Sequence, residues 1–310
     1  MSFSSEIKEE LMEETGSARH CQLAELSALV SACGSFSIRP NRRLFLLVQS
    51  ENRLVVRKAF ALIRRAFDTV PEVSVMGSGR RGRLYTLAVT DAEQANRILK
   101  GLKLLTERGA LRDPELAVNG LMLQSTCCKR AFLRGAFIGS GSVSDPHKSY
   151  HLEIVCINPE KAEQLRDAAA TFGIDARIVL RKRSYVVYVK ESEGIADFLN
   201  VIGAHRGLME MENIRILREI SGHVNRSVNC ETANLGKTVS AAVEQIRAIE
   251  KIRNTVGLDT LPAPLLEMAA VRLENPDTSL KDLGNLLDPP VGKSGVNHRL
   301  RKLKQIADEL

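Results

Sequence analysis

Residues 26–36 read LSALVSACGSF, and residues 133–143 read LRGAFIGSGSV. Both stretches are apolar runs that continue into small residues and a glycine, which is Gly34 in the first and Gly141 in the second. The two glycines lie 107 residues apart. A pattern that returns within one chain indicates an internal duplication, so the sequence predicts two related half-domains.

The small residues before each glycine fall on one helix face. At the same offset, Ala28 corresponds to Gly135 and Ala32 corresponds to Gly139. Residues four apart share a helix face, and small side chains on that face let two helices approach closely. We therefore expect one such helix in each half-domain, with the two helices packed against each other along a pseudo-twofold axis.

Hydrophobic periodicity predicts a similar succession of elements around both stretches. A helix over residues 1–15 is expected to precede them. The first half is predicted to contain a helix over 23–32, a strand over 44–50, a helix over 53–67, strands over 73–76 and 84–89, and a helix over 92–102. The second half is predicted to contain a helix over 127–138, a strand over 150–156, a helix over 159–173, strands over 176–180 and 184–190, and a helix over 195–203.

Helices alone are predicted after the duplicated part. A long amphipathic helix over 231–257, ended by Gly257, follows from apolar residues at spacings of four and three. These residues are Leu235, Val239, Ala242, Ile246, Ile249 and Val256. Three shorter helices are expected beyond it, over 262–274, 279–287 and 294–310.

The last two of these helices have the form of a helix-turn-helix. Ser279 with Asp282 three residues later resembles a capping box, and the short connection DPPVGK leads into the final helix. One side of that helix is apolar and is predicted to be buried, with Val296, Leu300, Leu303, Ala307 and Leu310. The opposite side carries Asn297, His298, Arg301, Lys302 and Gln305, while Arg299 lies at the flank.

Such an outer face suits DNA recognition. Asn and Arg side chains can read base edges in the major groove, and cations contact the phosphates. Lys293 and Ser294 lie at the start of the helix, where free backbone N–H groups favour a phosphate. The alternative interpretation is a basic, solvent-exposed terminal helix without a nucleic-acid partner.

The paired glycine helices resemble the signature helices of LAGLIDADG homing endonucleases over about residues 21–205. In that family an acidic residue before each glycine binds the divalent metals that cleave DNA. Here those positions are Cys33 and Ser140. Because Mg²⁺ requires oxygen ligands, usually carboxylates, nuclease chemistry lacks both main ligands. Asp145 lies near the second motif, but its counterpart is Ile38, so no symmetric replacement exists.

The resemblance leaves a sheet that could bind the DNA backbone. Residues 39–83 contain eleven Arg or Lys against three acids. The candidate backbone contacts are Arg39, Arg42, Arg43, Arg80, Arg81, Arg83, Arg181, Lys182 and Arg183. A solvated basic face or a protein-docking surface is an equally open interpretation.

Composition places the chain among soluble globular proteins with an anionic partner. The net charge is +7, the pI is about 9.2, and no apolar run is long enough to span a bilayer. The start MSFSSEIKEEL is too acidic for a signal peptide, so a cytoplasmic protein is expected. The six cysteines form no CxxC pair, which favours reduced, mostly buried thiols over a metal site, and no cofactor is expected.

Several longer segments are similar to the WhiA family of Gram-positive bacteria across essentially the whole chain. They are MSFSSEIKEEL, GSVSDPHKSYHLEIV, NRSVNCETAN and LGNLLDPPVGKSGVNHRLRKL. The family joins a degenerate LAGLIDADG scaffold to a C-terminal helix-turn-helix that carries most of the DNA affinity. The resemblance implies a transcription regulator linked to sporulation, cell division and chromosome segregation. It also implies double-stranded DNA as partner and a nucleoid-associated location, with RNA polymerase or another transcription regulator as further candidate partners and no membrane.

The predicted architecture is α+β, with tandem αββαββα half-domains followed by an all-α domain. The expected boundaries are an N-terminal helix over 1–20, the two repeats over 21–110 and 111–222, a linker helix over 223–257 and the helix-turn-helix over 258–310. For NRSVNCETAN we favour helix capping by Asn225, Arg226, Asn229 and Asn234 over DNA contact. The function alternatives are a protein-interaction scaffold of the division machinery and, less favoured, a metal-dependent nuclease.

Overall fold

The computed structural model describes residues 2–38, 44–77, 82–105, 111–112 and 117–310. The chain forms two compact units, residues 1–217 and 218–310, which we describe separately. None of the helices in the described ranges is both long enough and apolar enough to cross a membrane.

The first unit consists of two repeats with the element order αββαββα, preceded by a short helix. Its helices are α1 (Phe3–Glu10), α2 (Arg19–Cys33), α3 (Arg53–Phe67), α4 (Ala92–Gly101), α5 (Thr126–Ser140), α6 (Pro159–Ala170) and α7 (Ser192–Ile202). Its strands are β1 (Gly34–Ile38), β2 (Leu44–Ser50), β3 (Glu72–Met76), β4 (Leu84–Val89), β5 (Gly141–Val143), β6 (Leu152–Cys156), β7 (Arg177–Arg181) and β8 (Ser184–Val189). The tandem half-domains predicted from the sequence are therefore confirmed.

Each repeat contains one four-stranded antiparallel sheet. The strand orders are β1-β2-β4-β3 and β5-β6-β8-β7, so the two topologies are equivalent. In the first sheet the pairs Leu46 with Val89 and Val48 with Leu87 face the core, and all four side chains are buried. Hydrophobic periodicity did not predict β1 and β5, the strands that begin at Gly34 and Gly141, because glycine and serine give no alternating apolar pattern.

The signature helices α2 and α5 pack at their small residues, as predicted. A methyl group added to Gly135 would overlap the carbonyl oxygen of Glu25 and would lie 2.9 Å from the Cβ atom of Ala28. One added to Gly139 would lie 2.9 Å from the Cβ atom of Ala32. The close approach of the two helices therefore depends on the absence of larger side chains.

A buried charge cluster lies beside this helix pair. The Lys58 Nζ atom of α3 lies 3.1 Å from Glu25 Oε1, and the Arg134 Nε atom lies 3.4 Å from the same oxygen. Lys58 also donates to the carbonyl of Leu11 at 2.7 Å, and Arg134 donates to the carbonyl of Ile202 at 3.0 Å. The cluster thus joins both signature helices to α3 and to the segments that flank them.

The second unit is helical. It contains α8 (His205–Thr255) from residue 218 onward, α9 (Ala263–Glu274), α10 (Leu280–Asn285) and α11 (Lys293–Glu309). Its core joins α8 to the three shorter helices through buried apolar side chains, including Ile249, Ile252, Met268, Leu283 and Leu303.

Helix α8 is longer than the periodicity indicates. It begins at His205 instead of 231, and the sequence between these points contains no proline that would end the helix. Residues 225–234 are therefore interior helical positions with exposed side chains, so the expectation that they cap the helix is wrong. At the other end of the chain, α1 ends at Glu10 and is shorter than the helix predicted over residues 1–15.

Candidate nucleic-acid interface

The helix-turn-helix is built by α10, α11 and a close-packed connection. Ser279 caps α10, since its hydroxyl oxygen accepts the N–H of Asp282 at 3.3 Å, as the capping-box pattern predicted. The N–H of Val291 donates to the carbonyl of Gly284 at 2.9 Å. A methyl group at Gly284 would overlap the Val291 carbonyl, so glycine lets the turn pack onto α10 and fixes where α11 begins.

The inner face of α11 is buried as the helical wheel predicted, with one exception. Val296, Leu300, Leu303 and Ala307 are each at most 3% exposed. Leu310, which the wheel placed on the same side, is 44% exposed and lies after the last helical residue, so that part of the prediction is wrong.

The outer face of α11 presents a row of polar and cationic side chains. Asn297 is half-buried, and the other six are exposed: Lys293, Ser294, His298, Arg301, Lys302 and Gln305. Throughout the described part of the chain, these seven side chains have no ion-pair or hydrogen-bond partner.

Other cations of the same helix are already paired. The Lys304 Nζ atom lies 2.6 Å from Glu244 Oε2. The Arg299 Nη1 atom lies 3.6 Å from Glu267 Oε2 and donates to the carbonyl of Pro264 at 3.4 Å. Arg299 and Lys304 are therefore paired within the second unit, whereas the cations of the outer face remain available for a partner.

The start of α11 borders a cationic groove of about 360 Å³ within the second unit. Lys237 of α8, Lys281 of α10 and Lys293 of α11 line it together with Arg272 of α9. No side chain caps α11 at Gly292, so the first N–H groups of the helix stay available to an anion. Periodicity gives no signal for Lys237 or Lys281, because single lysines on separate helices come together only in the folded unit.

Arg272 is the buried cation of this groove. Its side chain is 2% exposed, and its Nη1 atom donates to the carbonyl of Thr278 at 2.7 Å. Burial lowers the pKa of the Arg272 guanidinium, and the nearby carboxylate of Asp277 opposes this shift. Arg272 thus ties the end of α9 to the start of α10, where Lys281 lies.

Four of the cations predicted for the sheets lie in the described residues, at strand ends and in a turn: Arg83, Arg181, Lys182 and Arg183. Arg39, Arg42, Arg43, Arg80 and Arg81 lie outside the described residues. Arg83, Lys182 and Arg183 are exposed, the last two in the turn between β7 and β8. The strands of the first sheet carry no Lys or Arg.

The outer face of the second sheet is only partly cationic. The Arg181 Nη1 atom lies 3.0 Å from Glu153 Oε2 on β6, so a carboxylate already neutralises that charge. Val155 and Val179 are exposed at neighbouring positions of the same face, and each opposes Val186 of β8. This surface is more apolar than one built only for phosphate contacts.

Cys33 and Ser140 lie half-buried at the ends of α2 and α5. Cys33 Sγ lies 3.7 Å from the Gly139 carbonyl. Burial raises the pKa of the Cys33 thiol, and the ammonium groups of Lys8 and Lys161 oppose this shift. Two cations beside a neutral thiol oppose the binding of a hard divalent metal, which needs carboxylate oxygens.

Asp145 does not replace the missing acid. Its Oδ1 atom accepts the backbone N–H of His147 at 2.9 Å within a turn, so this oxygen serves the local backbone. Cys33, Ser140 and Asp145 therefore do not form the donor set that metal-assisted hydrolysis of DNA requires.

Three family profiles match successive parts of the chain. They are described as WhiA N-terminal LAGLIDADG-like domain over residues 19–105, WhiA LAGLIDADG-like domain over 129–221 and WhiA C-terminal HTH domain over 224–307. A relative from Lachnoclostridium phytofermentans, named probable cell division protein WhiA, is 48% identical over 100% of this chain and 99% of its own length. The chain belongs to the WhiA family.

Other WhiA proteins agree over the full length. A relative of the same name from Lachnospira eligens is 49% identical over 100% of this chain and 98% of its own. The crystal structure of full-length DUF199/WhiA from Thermatoga maritima is 28% identical, with a TM-score of 0.61, and covers 100% of this chain and 99% of that one. The WhiA match confirms the tandem LAGLIDADG-like scaffold with a helix-turn-helix and supports DNA binding by the latter.

Proposed function

We propose that this WhiA-family protein is a non-catalytic, sequence-specific DNA-binding protein that regulates transcription of genes for cell division. The observation that carries this proposal is the outer face of α11, whose cations and amides have no partner among the residues that the structure describes, whereas Arg299 and Lys304 on the same helix are paired. Side chains that have no partner within the protein are available to base edges and phosphates.

The geometry favours base contacts by some side chains of α11 and phosphate contacts by others near its start. Asn297 and Arg301 lie four residues apart on the outer face and suit bidentate contacts to adenine and guanine in the major groove. Lys293, Lys281 and Lys237 line the groove at the helix start and suit phosphates, which position the protein without reading sequence. Lys302 and Gln305 extend the same face toward the C-terminal end of the helix.

The proposal that the protein is non-catalytic rests on the donor chemistry at the ends of α2 and α5. Cys33 and Ser140 offer one thiol and one hydroxyl, and the nearby charges are those of Lys8 and Lys161. Neither donor supplies the negative charge that offsets Mg²⁺ in a nuclease centre. We therefore propose that the scaffold resembles that of LAGLIDADG homing endonucleases without their metal chemistry.

A second role, as a protein-interaction scaffold, is favoured by the second sheet. Exposed Val155 and Val179 beside an Arg181 that is paired with Glu153 suit a protein partner better than a DNA backbone. RNA polymerase or another transcription regulator is proposed for this face. Links to chromosome segregation, to sporulation and to a nucleoid-associated location belong to the same proposal and rest on the family resemblance.

The proposal is tested by selecting a random duplex library on the full-length protein at physiological salt. A defined motif should be enriched, and chromatin immunoprecipitation with sequencing should recover the same motif near genes for division. Equal retention of all sequences in the selection, with no motif above background, would contradict sequence-specific recognition.

A further inference from the structure

Four thiol and imidazole side chains converge at the start of the signature helices. His20 and Cys21 lie in the first turn of α2, and Cys127 and Cys128 lie in the first turn of α5. The two pairs are separated by the same 107 residues that relate Gly34 to Gly141. The duplication thus brings one adjacent pair from each repeat to the end of the helix interface opposite Cys33 and Ser140.

The donor atoms lie at distances that suit one metal ion. The His20 Nδ1 atom lies 3.1 Å from Cys128 Sγ and 3.4 Å from Cys21 Sγ. The four possible ligand atoms all lie within 4.8 Å of one another. Tetrahedral zinc, with Zn–S bonds of about 2.3 Å and Zn–N bonds of about 2.0–2.1 Å, places its ligand atoms about 3.5–3.8 Å apart. Small adjustments of the side chains would therefore complete the tetrahedron.

We propose that His20, Cys21, Cys127 and Cys128 bind one structural Zn²⁺ ion. Binding releases three thiol protons to solvent and leaves a complex of one imidazole and three thiolates with a net charge of −1. Sulfur and imidazole ligands select zinc over Mg²⁺ or Ca²⁺, and four protein ligands leave no open position for catalysis.

The helix starts favour an anionic complex, whereas burial raises the pKa of the Cys21 and Cys128 thiols and opposes it. Both α2 and α5 begin at this point, and neither has a side-chain cap, so the positive ends of two helix dipoles face the site. Cys21 and Cys128 are buried, whereas His20 and Cys127 are exposed and leave a path for the ion. The ion would join the two repeats where their signature helices start, in addition to the contacts of the small residues further along.

Metal content of the full-length protein tests this site directly. The protein is expressed without a metal-affinity tag in zinc-supplemented medium, and zinc is measured by inductively coupled plasma mass spectrometry. We expect about one zinc per chain, and at least a tenfold lower content in Cys21→Ser and in Cys128→Ser. The matched controls Cys33→Ser and Cys230→Ser remove cysteines outside the cluster and should keep full zinc content.

A second measurement on the unaltered protein tests the site even if the cysteine variants fail to fold. Replacement of zinc by Co²⁺ in the unaltered protein should give thiolate charge-transfer bands and intense d–d bands that mark tetrahedral sulfur coordination. Zinc-free protein with no such bands would overturn the proposal. So would a disulfide among Cys21, Cys127 and Cys128 in protein alkylated at lysis, or zinc content that is unchanged in both cluster variants.

Discussion

Lysines of α10 and α11 differ in whether a carboxylate already pairs with them. Lys293 and Lys281 line the same groove beside the uncapped start of α11, while Lys304 on the same helix lies 2.6 Å from Glu244. A cation that is already paired gains less from a phosphate than one without a partner. We therefore expect the contact residues to be cations that lack a pairing carboxylate, and not simply all cations of the helix.

Substitution of the groove lysines should weaken binding to every sequence. Lys293→Ala is expected to lower affinity for selected and scrambled duplexes by similar factors and to reduce the slope of log K against log salt by about one unit, since one phosphate contact is lost. Titrations at several salt concentrations measure this slope. Lys304→Ala is the matched control and should leave the slope closer to that of the parent. A change confined to the selected duplex would instead assign Lys293 to base recognition.

The buried charges of the scaffold give a second prediction at the residue scale. Glu25→Gln leaves Lys58 and Arg134 buried without their shared carboxylate, so the free energy of unfolding should fall by about 3–5 kcal/mol. Urea denaturation followed by circular dichroism measures the change. Glu244→Gln removes the exposed carboxylate beside Lys304 and should have little effect, because solvent screens that pair. An equal decrease in the free energy of unfolding in both variants would show that burial of the cluster does not cause the destabilisation by Glu25→Gln.

At the scale of elements, sequence periodicity predicted some bounds well and missed others. Helix α3 coincides with the predicted residues 53–67, because its apolar positions follow one helical face. The strands β1 and β5 could not be predicted from periodicity, since each is short and begins with glycine and serine. The start of α8 was missed because an exposed helix with a broken apolar stripe resembles a linker in sequence.

The close contact of α2 and α5 leads to a prediction for Gly135. Although alanine is about 1 kcal/mol more favourable than glycine in a helix, its methyl group here meets the carbonyl of Glu25 and the side chain of Ala28. Gly135→Ala should therefore destabilise the first unit by about 1–3 kcal/mol. Thermal and urea unfolding measure the difference.

Gly236 provides the matched control for this substitution. It lies inside α8, and an added methyl group would meet no atom within 4 Å. Gly236→Ala should be neutral or stabilising. If Gly135→Ala proved equally neutral, the small residues would not be what holds the two helices together.

For the molecule as a whole, the sequence predicted local structure better than it predicted contacts between residues that are distant along the chain. The helix-turn-helix could be predicted because its caps and apolar face lie within about 30 consecutive residues. The cysteines illustrate the opposite case. Their spacing favoured reduced thiols over a metal site, yet in the folded chain Cys21 and Cys128 both lie beside His20. Lys237, Lys281 and the buried Lys58 were missed for the same reason, since the residues beside them in the fold lie on other elements.

The scaffold should lack nuclease activity despite its LAGLIDADG-like fold. Supercoiled plasmid incubated with the purified protein and Mg²⁺ or Mn²⁺ is expected to stay intact, because neither Cys33 nor Ser140 supplies a carboxylate. Agarose electrophoresis detects nicked and linear products. Metal-dependent nicking that disappears in Asp145→Asn would show that the turn carboxylate has taken over the missing role.

Recognition of the DNA sequence by α11 can be tested by titrating variants on selected and scrambled duplexes. Asn297→Ala and Arg301→Ala should each lose about 1–3 kcal/mol on the selected duplex, which is roughly 5- to 150-fold in affinity, with a smaller loss on the scrambled one. Circular dichroism confirms that each variant is folded. Recognition by α11 is contradicted if both variants bind the selected duplex as tightly as the parent, while Arg81→Ala or Arg181→Ala abolishes binding.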